Sequence, residues 1–470
     1  MSKKAKIQDI YPLAPMQEGM LFHYLNRDTA SAYFEQTSYR LHGQLDVGIV
    51  KKSLDELMRR HDILRTAFVH EGVKRPMQVV LQDRTCDFFF EDISRLADDT
   101  AKDAAVRDII EKDRQRSFDL KKDVLLRVTV IKTAPDVHEF IWSHPHIIMD
   151  GWCLGIVISE YLEIYRTLIR GKPLLLPEAV PFKKYIEWLE NRDMQESLNY
   201  WTGYLQGYHS RAVIPRIKSA GAGKKGFEKK IISVALGEAE TARLDRLVKT
   251  HHTTMSNLVL TAWGIVLSRY KGEPDVVFGR VVSGRPPEIA GVETILGLFI
   301  NTVPVRVRVE NEITFSDLLA KIREEMIGNE PHHYCPLVKI NACSPLKRDL
   351  FDHIISFQNY PVAEQAAGAV NPGSAGERKA LFEVSDTMRY EHTNYDFILL
   401  AAVAGNLTVN LEYNARVYED ELVEKIAGHL RDVLKQDLEN EEIESLRSLH
   451  KNKHKKMELL ESFNEDLEDE

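Results

Sequence analysis

The segment from Val124 to Tyr165 constrains the fold of this chain more than any other. A β-branched run from Val124 to Ile131 is followed by a Pro135-Asp136 turn and a second short apolar run, Phe140 to Trp142. That pattern reads as two strands joined by a tight connection. A polar, histidine-bearing stretch comes next. Gly151 then opens a run in which Leu154, Ile158, Leu162 and Tyr165 recur at helical spacings of three and four. A strand pair that passes into an amphipathic helix through a polar loop predicts a sheet-and-helix layer, with the loop where connections commonly display reactive side chains.

The rest of the chain repeats this grammar. Leu54, Leu57, Met58 and Leu64 lie at helical spacing ahead of a strand-like Thr66 to Val69. Gly171-Lys172-Pro173 stops the helix opened at Gly151, and the Pro- and Leu-rich segment up to Pro181 marks a lobe boundary. In the second half, Ile231, Val234 and Leu236 predict a strand, Leu244 onward a helix, and Val276 to Val282 another strand. Gly405-Asn406 separates Phe397–Val403 from the alternating Leu407, Val409, Leu411 and Tyr413, which predicts a hairpin. Leu422, Val423, Ile426, Leu430, Val433 and Leu434 mark an amphipathic helix after it. The lysines of 451–456 and the acids of 458–470 predict a solvated, charged linker. At 470 residues the chain has room for two or three domains at about 150 residues each. The pattern favours two αβ lobes, 1–175 and 176–450, followed by the linker 451–470.

Composition removes several function classes. Apolar residues at 44% and charged residues at 28% are globular proportions, which excludes a disordered or collagen-like chain. Lys plus Arg number 62 against 71 Asp plus Glu, so a net charge of −9 provides no general field for nucleic acid or an anionic membrane. The opening MSKKAKIQDIYPL has no apolar h-region and is not a secretory signal. No uncharged apolar run approaches the roughly 20 residues of a membrane helix. Cys86, Cys153, Cys335 and Cys343 form no CxxC, and scattered thiols of this kind fit a reducing compartment. A soluble, cytoplasmic location is expected.

Three stretches invite chemistry. Gly221-Ala222-Gly223-Lys224-Lys225-Gly226 matches GxGxxG by letter, but Pro215 interrupts what precedes it and a strand-like run follows, so it reads as a surface loop. His144, His146 and Asp150 raise a metal reading, because HxH on a strand places two imidazoles on one side. The aspartate comes later than binuclear hydrolase spacing allows, and the pairs His251-His252 and His332-His333 have no carboxylates close by in sequence, so no metal is expected. No GxSxG elbow, P-loop or kinase set is present. What remains is His146-x-x-x-Asp150-Gly151. With 17 histidines, HxxxD arises by chance roughly once per chain, and the following glycine lowers that to about one chain in twenty. An imidazole in such a loop accepts a proton near neutral pH or holds a nucleophile in line. Asp150 either orients that imidazole or pairs with a distant cation and fixes the loop.

His146-Ile147-Ile148-Met149-Asp150-Gly151-Trp152 resembles the HHxxxDG signature of condensation domains in nonribosomal peptide synthetases. The opening Tyr11-Pro12-Leu13-Ala14-Pro15-Met16-Gln17-Glu18-Gly19-Met20-Leu21-Phe22-His23 is similar to that family's first motif, and Arg60-His61-Asp62-Ile63-Leu64-Arg65-Thr66-Ala67-Phe68 to its second. Tyr185-Ile186-Glu187-Trp188 and Tyr200-Trp201 resemble its middle part. Val282-Ser283-Gly284-Arg285-Pro286 and Gly297-Leu298-Phe299-Ile300-Asn301-Thr302 resemble its fifth motif. His333-Tyr334-Cys335-Pro336-Leu337, Phe357-Gln358-Asn359-Tyr360-Pro361 and Asn394-Tyr395-Asp396-Phe397 complete a set that keeps its order over about residues 8–445.

The resemblance implies an α/β (α+β) fold of two chloramphenicol-acetyltransferase-like lobes in a V-shaped pseudo-dimer with a central substrate tunnel. It implies peptide-bond formation: an acceptor aminoacyl-carrier amine attacks a donor peptidyl-carrier thioester near His146. Asp150 and Arg285 map to an ion pair that supports the site, and Gly151, Ser283 and Asn359 map to the tunnel. The domain itself is expected to bind no cofactor, because its substrates ride as thioesters on the 4'-phosphopantetheine of partner carrier domains. The form PMQEGMLFH resembles the subclass that takes a D-configured donor from an upstream epimerisation module. Met1 lies close ahead of that motif, so the domain is expected to begin a synthetase polypeptide, with residues 1–20 (Lys3, Lys4 and Lys6 among them) as a docking segment for the preceding one. Downstream, adenylation and acceptor carrier domains are implied. One departure stands out: Pro145 replaces the first histidine of the signature. Proline lacks an N–H and fixes φ, so a displaced loop and reduced or lost activity are expected, with His144 facing away from the vacated position. A silent domain that docks carrier or tailoring proteins is the alternative reading, with an epimerisation domain behind it.

Overall fold

The computed structural model describes residues 6–26, 33–217, 227–310, 313–358, 382–391 and 393–435. The chain divides into two compact units. The first comprises Met1–Arg192, Ser283–Ile300 and Tyr360–Asn394; the second comprises Asp193–Val282, Asn301–Asn359 and Tyr395–Glu470. The first unit therefore runs past the expected cut at 175/176, and two later segments return to it. Burial explains this. Phe182, Tyr185, Ile186, Ile295, Leu298, Phe299 and Phe382 all enter the apolar core that holds Leu54, Leu57 and Ile148. Residues 451–470, expected as the linker, and Gly221–Gly226 lie outside the described residues.

In the first unit the strands, numbered in chain order, are β1 (Ile7–Pro12), β2 (Phe34–His42), β3 (Thr66–Val69), β4 (Met77–Leu81), β5 (Asp87–Asp92), β6 (Arg127–Ala134), β7 (Val137–Pro145) and, from a returning segment, β12 (Glu383–Glu391). A three-stranded sheet runs β1-β4-β3, and a five-stranded sheet runs β12-β2-β7-β6-β5. All neighbours in the larger sheet are antiparallel except β5 and β6. The helices are α1 (Pro15–Leu25), α2 (Val47–Arg60), α3 (Asp99–Arg116), α4 (Cys153–Ile169) and α5 (Lys183–Glu190). Leu64 falls in a 3-10 turn, Asp62–Arg65, rather than in the helix that carries Leu54, Leu57 and Met58. The strand expected from Val124 starts at Arg127.

Side chains alternate across a strand, so each face of the larger sheet finds its own cover. Ile131 and Ile141 meet Val106 and Ile110 of α3. Val128, Val130, Phe140 and Trp142 point the other way, into the core with Leu54 of α2 and Val157, Tyr161 and Tyr165 of α4. Arg60 and His61 both reach Glu160 on α4, at 3.0 and 2.8 Å, and so tie the end of α2 to the helix that follows the histidine loop.

The second unit carries β8 (Lys229–Ala235), β9 (Asp275–Val282), β10 (Asn301–Arg308), β11 (Ile354–Phe357), β13 (Phe397–Ala404) and β14 (Asn406–Asn414). Their order is β10-β9-β11-β13-β14-β8, with β11 parallel to both neighbours. The expected hairpin is present, and Gly405 at φ +76° supplies the left-handed residue its turn needs. Trp263, Phe278 and Phe397 are fully buried in this unit's core, which the closing helix Asp420–Lys435 completes through Val423, Ile426, Leu430 and Leu434. The mixed α/β architecture agrees with the expected fold class. Among the described residues no helix is long and apolar enough to cross a membrane.

Candidate active site

β7 ends at Pro145, and His146–Ile148 form a 3-10 turn that leads through Asp150 and Gly151 into α4. Register decides what faces His146. In the larger sheet Glu35 of β2 lies opposite His144 on one side and opposite Glu391 on the other. Directly paired residues share a face, so His144, Glu35 and Glu391 form one row across three strands. The turn brings His146 back over this row. Its amide donates to the Tyr33 carbonyl at 2.7 Å, and its Nε2 lies 2.9 Å from Glu35 Oε1. His144 Nε2 stands 3.7 Å from Glu35 Oε2. The Arg389 guanidinium lies 3.6 Å from Glu35 and 3.1 Å from Glu391. Glu35, His144 and His146 are all buried.

Burial alone would lower the basicity of His146, but the charge and contact of Glu35 outweigh it and raise the imidazole to about 9. Glu35 is also penalised by burial, yet His146, Arg389 and His144 hold its carboxyl well below the usual carboxylate range. For His144 burial wins over the attraction of Glu35, and its imidazole falls to about 4. At neutral pH the row therefore holds an imidazolium–carboxylate pair beside a neutral imidazole.

The opposite face of the same strands is locked independently. Asp113 of α3 accepts from Gln36 of β2 at 2.7 Å, from Ser143 of β7 at 2.5 Å and from Arg127 of β6 at 2.5 Å. Three strands thus converge on one carboxylate beneath the histidine row, which fixes the register that aligns Glu35 with His144. From the first motif, the buried Gln17 accepts from the Ala14 amide and donates to the Ile147 carbonyl at 3.0 Å, so α1 braces the loop.

Asp150 serves the other end of the loop. Its Oδ1 lies 3.4 Å from Arg285 Nη2, and its Oδ2 accepts from the Phe299 amide at 3.0 Å. Arg285 donates to the Val292 and Ile295 carbonyls at 2.6 and 3.0 Å and stacks over the Phe299 ring. Two glycines permit this close packing. A Cβ on Gly284, which has φ +61°, would stand 1.9 Å from the Phe299 carbonyl oxygen, and one on Gly297 would stand 2.0 Å from the Phe182 ring. The carboxylate beside His146 is therefore Glu35, and the two roles that the sequence left open for Asp150 separate in space.

Pro145 sits in extended backbone, φ −80° and ψ 138°. Its partner on β2 is Phe34, and the flanking His146-to-Tyr33 bond makes this a pair that exchanges no hydrogen bonds. On the β6 side the ladder has already ended at Arg127–Ser143. The missing N–H therefore costs no ladder bond. Gly151 is buried at the entry to α4, and Ser283 is exposed just ahead of Gly284. Asn359 lies outside the described residues.

The metal reading of His144, His146 and Asp150 finds no shared centre here, since Asp150 is engaged with Arg285. A different trio, Glu35, His146 and Glu391, places three ligand atoms within 4.8 Å of one another. Arg389 already supplies a cation to both of its carboxylates, so the group is an ion-pair cluster as it stands. Glu35, Arg389, Glu391 and Asp113 were not singled out from sequence, and Gln17 was quoted only as part of the first motif.

The geometry belongs to a recognisable class. A condensation-domain family model matches residues 7–458, and the chain belongs to that family. Among curated relatives it is 42% identical over 445 residues to one of the plipastatin synthase polypeptides of Bacillus subtilis, covering 94% of this chain and 17% of that protein. It is 39% identical to surfactin synthase subunit 3 of the same species, covering 93% of this chain and 33% of the relative. It is 38% identical to gramicidin S synthase 2 of Brevibacillus brevis, covering 92% and 10%. The chain thus spans at most about a third of these relatives. In fold it is similar to the condensation domain of the monacolin K polyketide synthase, at 19% identity and a TM-score of 0.73 over 92% of this chain and 99% of that one. It is also similar to the X-domain from teicoplanin biosynthesis, at 19% identity and a TM-score of 0.75 over 94% and 97%.

Proposed function

We propose that this chain joins two carrier-bound substrates by a peptide bond: the amine of an acceptor aminoacyl thioester attacks the carbonyl of a donor acyl or peptidyl thioester. The observation that carries the reading is the buried His146, aimed by Glu35 and held on a loop braced by Gln17, Asp150 and Arg285, in a member of the condensation-domain family. His146 is the catalytic residue, and Asp150, Arg285 and Pro145 shape the loop. Gly151 leaves room for a pantetheine arm to pass close, and Ser283 and Asn359 are assigned to the substrate path by the resemblance alone. The chemistry asks for little activation. An α-amine has a pKa of about 7.7–8.0, so about a tenth to a sixth of it is already the nucleophilic free base at pH 7. Tethering both thioesters converts a bimolecular reaction into one of high effective concentration.

Both substrates arrive on 4'-phosphopantetheine of separate carrier domains, and the domain contributes no cofactor of its own. The PMQEGMLFH form favours a D-configured donor delivered by a carrier that follows an epimerisation domain. Adenylation and acceptor carrier domains follow downstream, and the assembly works in the cytoplasm.

Intact-mass spectrometry tests this. An acceptor carrier loaded with an amino acid is mixed with a donor carrier, loaded in turn with D- and L-amino acids, and with this protein. A mass gain on the acceptor equal to the donor residue, lost in His146→Ala, is expected. No gain with any donor, despite carrier binding, would replace the reading with that of a silent docking domain.

A further inference from the structure

We propose that Arg280, with the end of the helix Phe315–Asn329, forms an anion subsite in the second unit, which takes a carboxylate or phosphate group carried in by a substrate. That a substrate carries the anion rests on the condensation reading; the subsite itself does not. Arg280 lies on the interior strand β9, between Val303 of β10 and Ile355 of β11. Its Nη1 donates to Met326 Sδ at 2.9 Å, and no carboxylate among the described residues forms an ion pair with it. A guanidinium offers five N–H donors in a fork that matches carboxylate and phosphate oxygens, whereas a thioether is a weak acceptor. Arg306 of β10 is the contrast in the same sheet. Asp275 accepts from it twice, at 2.9 and 2.6 Å, and the Tyr204 and Gln206 carbonyls accept from its Nη1 at 2.8 and 2.9 Å.

The surroundings of Arg280 leave its charge unanswered. Burial lowers its basicity, and Glu330 and Tyr204 offset that only through space. Glu330 is exposed, and the Tyr204 hydroxyl is committed to Glu325 at 3.0 Å. The neighbouring His333 adds no second charge: burial, then the Arg280 cation and His332, bring its imidazole down to about 3. His333 Nε2 lies 2.8 Å from Asn329 Oδ1, and Asn329 Nδ2 lies 3.8 Å from the sulfur that Arg280 contacts. Two donors, one cationic and one amide, thus converge on the sulfur of a flexible side chain. An oxygen in place of that sulfur would accept from both with far stronger bonds, and a negative charge on it would answer the guanidinium. Arg280 is half-buried rather than sealed off, so a ligand can reach it. A desolvated cation without a counter-ion is costly, and an arriving oxyanion removes that cost.

The test is NMR of the whole chain with isotopically labelled methionine methyls, the Met326 signal being assigned by its loss in Met326→Leu. Two pairs of probes separate the sources of the anion: 4'-phosphopantetheine against pantetheine, and the N-acetylcysteamine thioester of aspartate against that of asparagine. A saturable shift of Met326 with the charged member of a pair is expected, with affinity about tenfold or more above that of its neutral partner. A response to the phosphate pair assigns the subsite to the pantetheine arm, and a response to the carboxylate pair assigns it to an acidic aminoacyl group. Equal response to both members of each pair, or response to none, overturns the proposal. Arg280→Leu should weaken the binding by about tenfold or more, and Arg280→Lys, which keeps the charge but not the fork, by less. Undiminished binding in Arg280→Leu also overturns it. The wild-type titrations decide by themselves should Arg280→Leu fail to fold. No condensation is needed for the readout, so failure of the assigned reaction and failure of the subsite are seen separately.

Discussion

Asp150→Asn separates loop support from proton relay. Asp150 and Arg285 stand 3.4 Å apart, with side chains only 1% and 5% exposed. At an effective dielectric of about 20, two unit charges at that distance attract by about 5 kcal/mol. Desolvation consumes part of this attraction, but removal of one partner leaves the other buried and uncompensated, which costs about 3–5 kcal/mol. Two features pull the value towards the lower end. Arg285 keeps its bonds to the Val292 and Ile295 carbonyls, and an asparagine oxygen can still accept from the Phe299 amide. Asp150→Asn should therefore lose about 3 kcal/mol in urea unfolding. Combination with Arg285→Met should recover about 2 kcal/mol as a coupling energy.

The same variant should leave the titration of His146 near pH 9, because that proton answers to Glu35 and not to Asp150. Condensation should fall through loss of loop placement, with its pH profile unmoved. A destabilisation below about 1 kcal/mol, or a His146 transition displaced as far as Glu35→Gln displaces it, would refute this reasoning and restore Asp150 as the partner of the imidazole.

Four further outcomes follow from the same geometry. His146 is raised from 6.5 to about 9, so its stabilising contribution is whole below about pH 6.5 and is lost as pH rises through about 9. Stability measured by urea midpoints should fall by about 3 kcal/mol across that window, and His146→Gln should flatten the fall. On the acid side Glu35, held low, keeps its contribution well below the ordinary carboxylate range, whereas His144, lowered to about 4, resists protonation; stability should drop between about pH 6.5 and 4, and His144→Gln should remove that part. Pro145→His restores a donor where no ladder bond awaits it and puts a larger, polar ring at a buried position, so unfolding should lose about 1–3 kcal/mol without a gain in turnover; a tenfold gain would show that the first histidine of the signature has work here that the backbone does not reveal. Gly284→Ala combines a left-handed φ with a Cβ 1.9 Å from the Phe299 oxygen, and should cost more than about 2 kcal/mol while disturbing the Arg285 anchor.

The features legible in the sequence are those that short-range period reveals. The strand pair of β6 and β7, the loop at His146 and the helix after Gly151 lie within one run of about forty residues, and each declares itself by spacing. The lobe boundary did not, because it depends on which core later segments choose. Phe182, Phe299 and Phe382 carry no local sign that they pack with Leu54. Asp150 stayed ambiguous for the same reason, its cation being supplied from Arg285 by a separate segment.

Glu35 is the instructive miss. Nothing within β2 names its partners, since His144 and His146 lie more than a hundred residues on and Arg389 further still; only the pairing of β12, β2 and β7 collects them. A trace was nonetheless present. In Phe34-Glu35-Gln36-Thr37-Ser38 every residue is buried, although four of the five are polar. Polar groups do not stay out of water without partners, because each unpaired one costs as much as a lost hydrogen bond or more. A strand of β-forming length that spends its buried positions on Glu, Gln, Thr and Ser must therefore meet complementary groups on its neighbours, and Asp113 answers Gln36 on one face as His146 answers Glu35 on the other. Such a strand is poor material for an apolar core, and that poverty is itself the sign that a site crosses it.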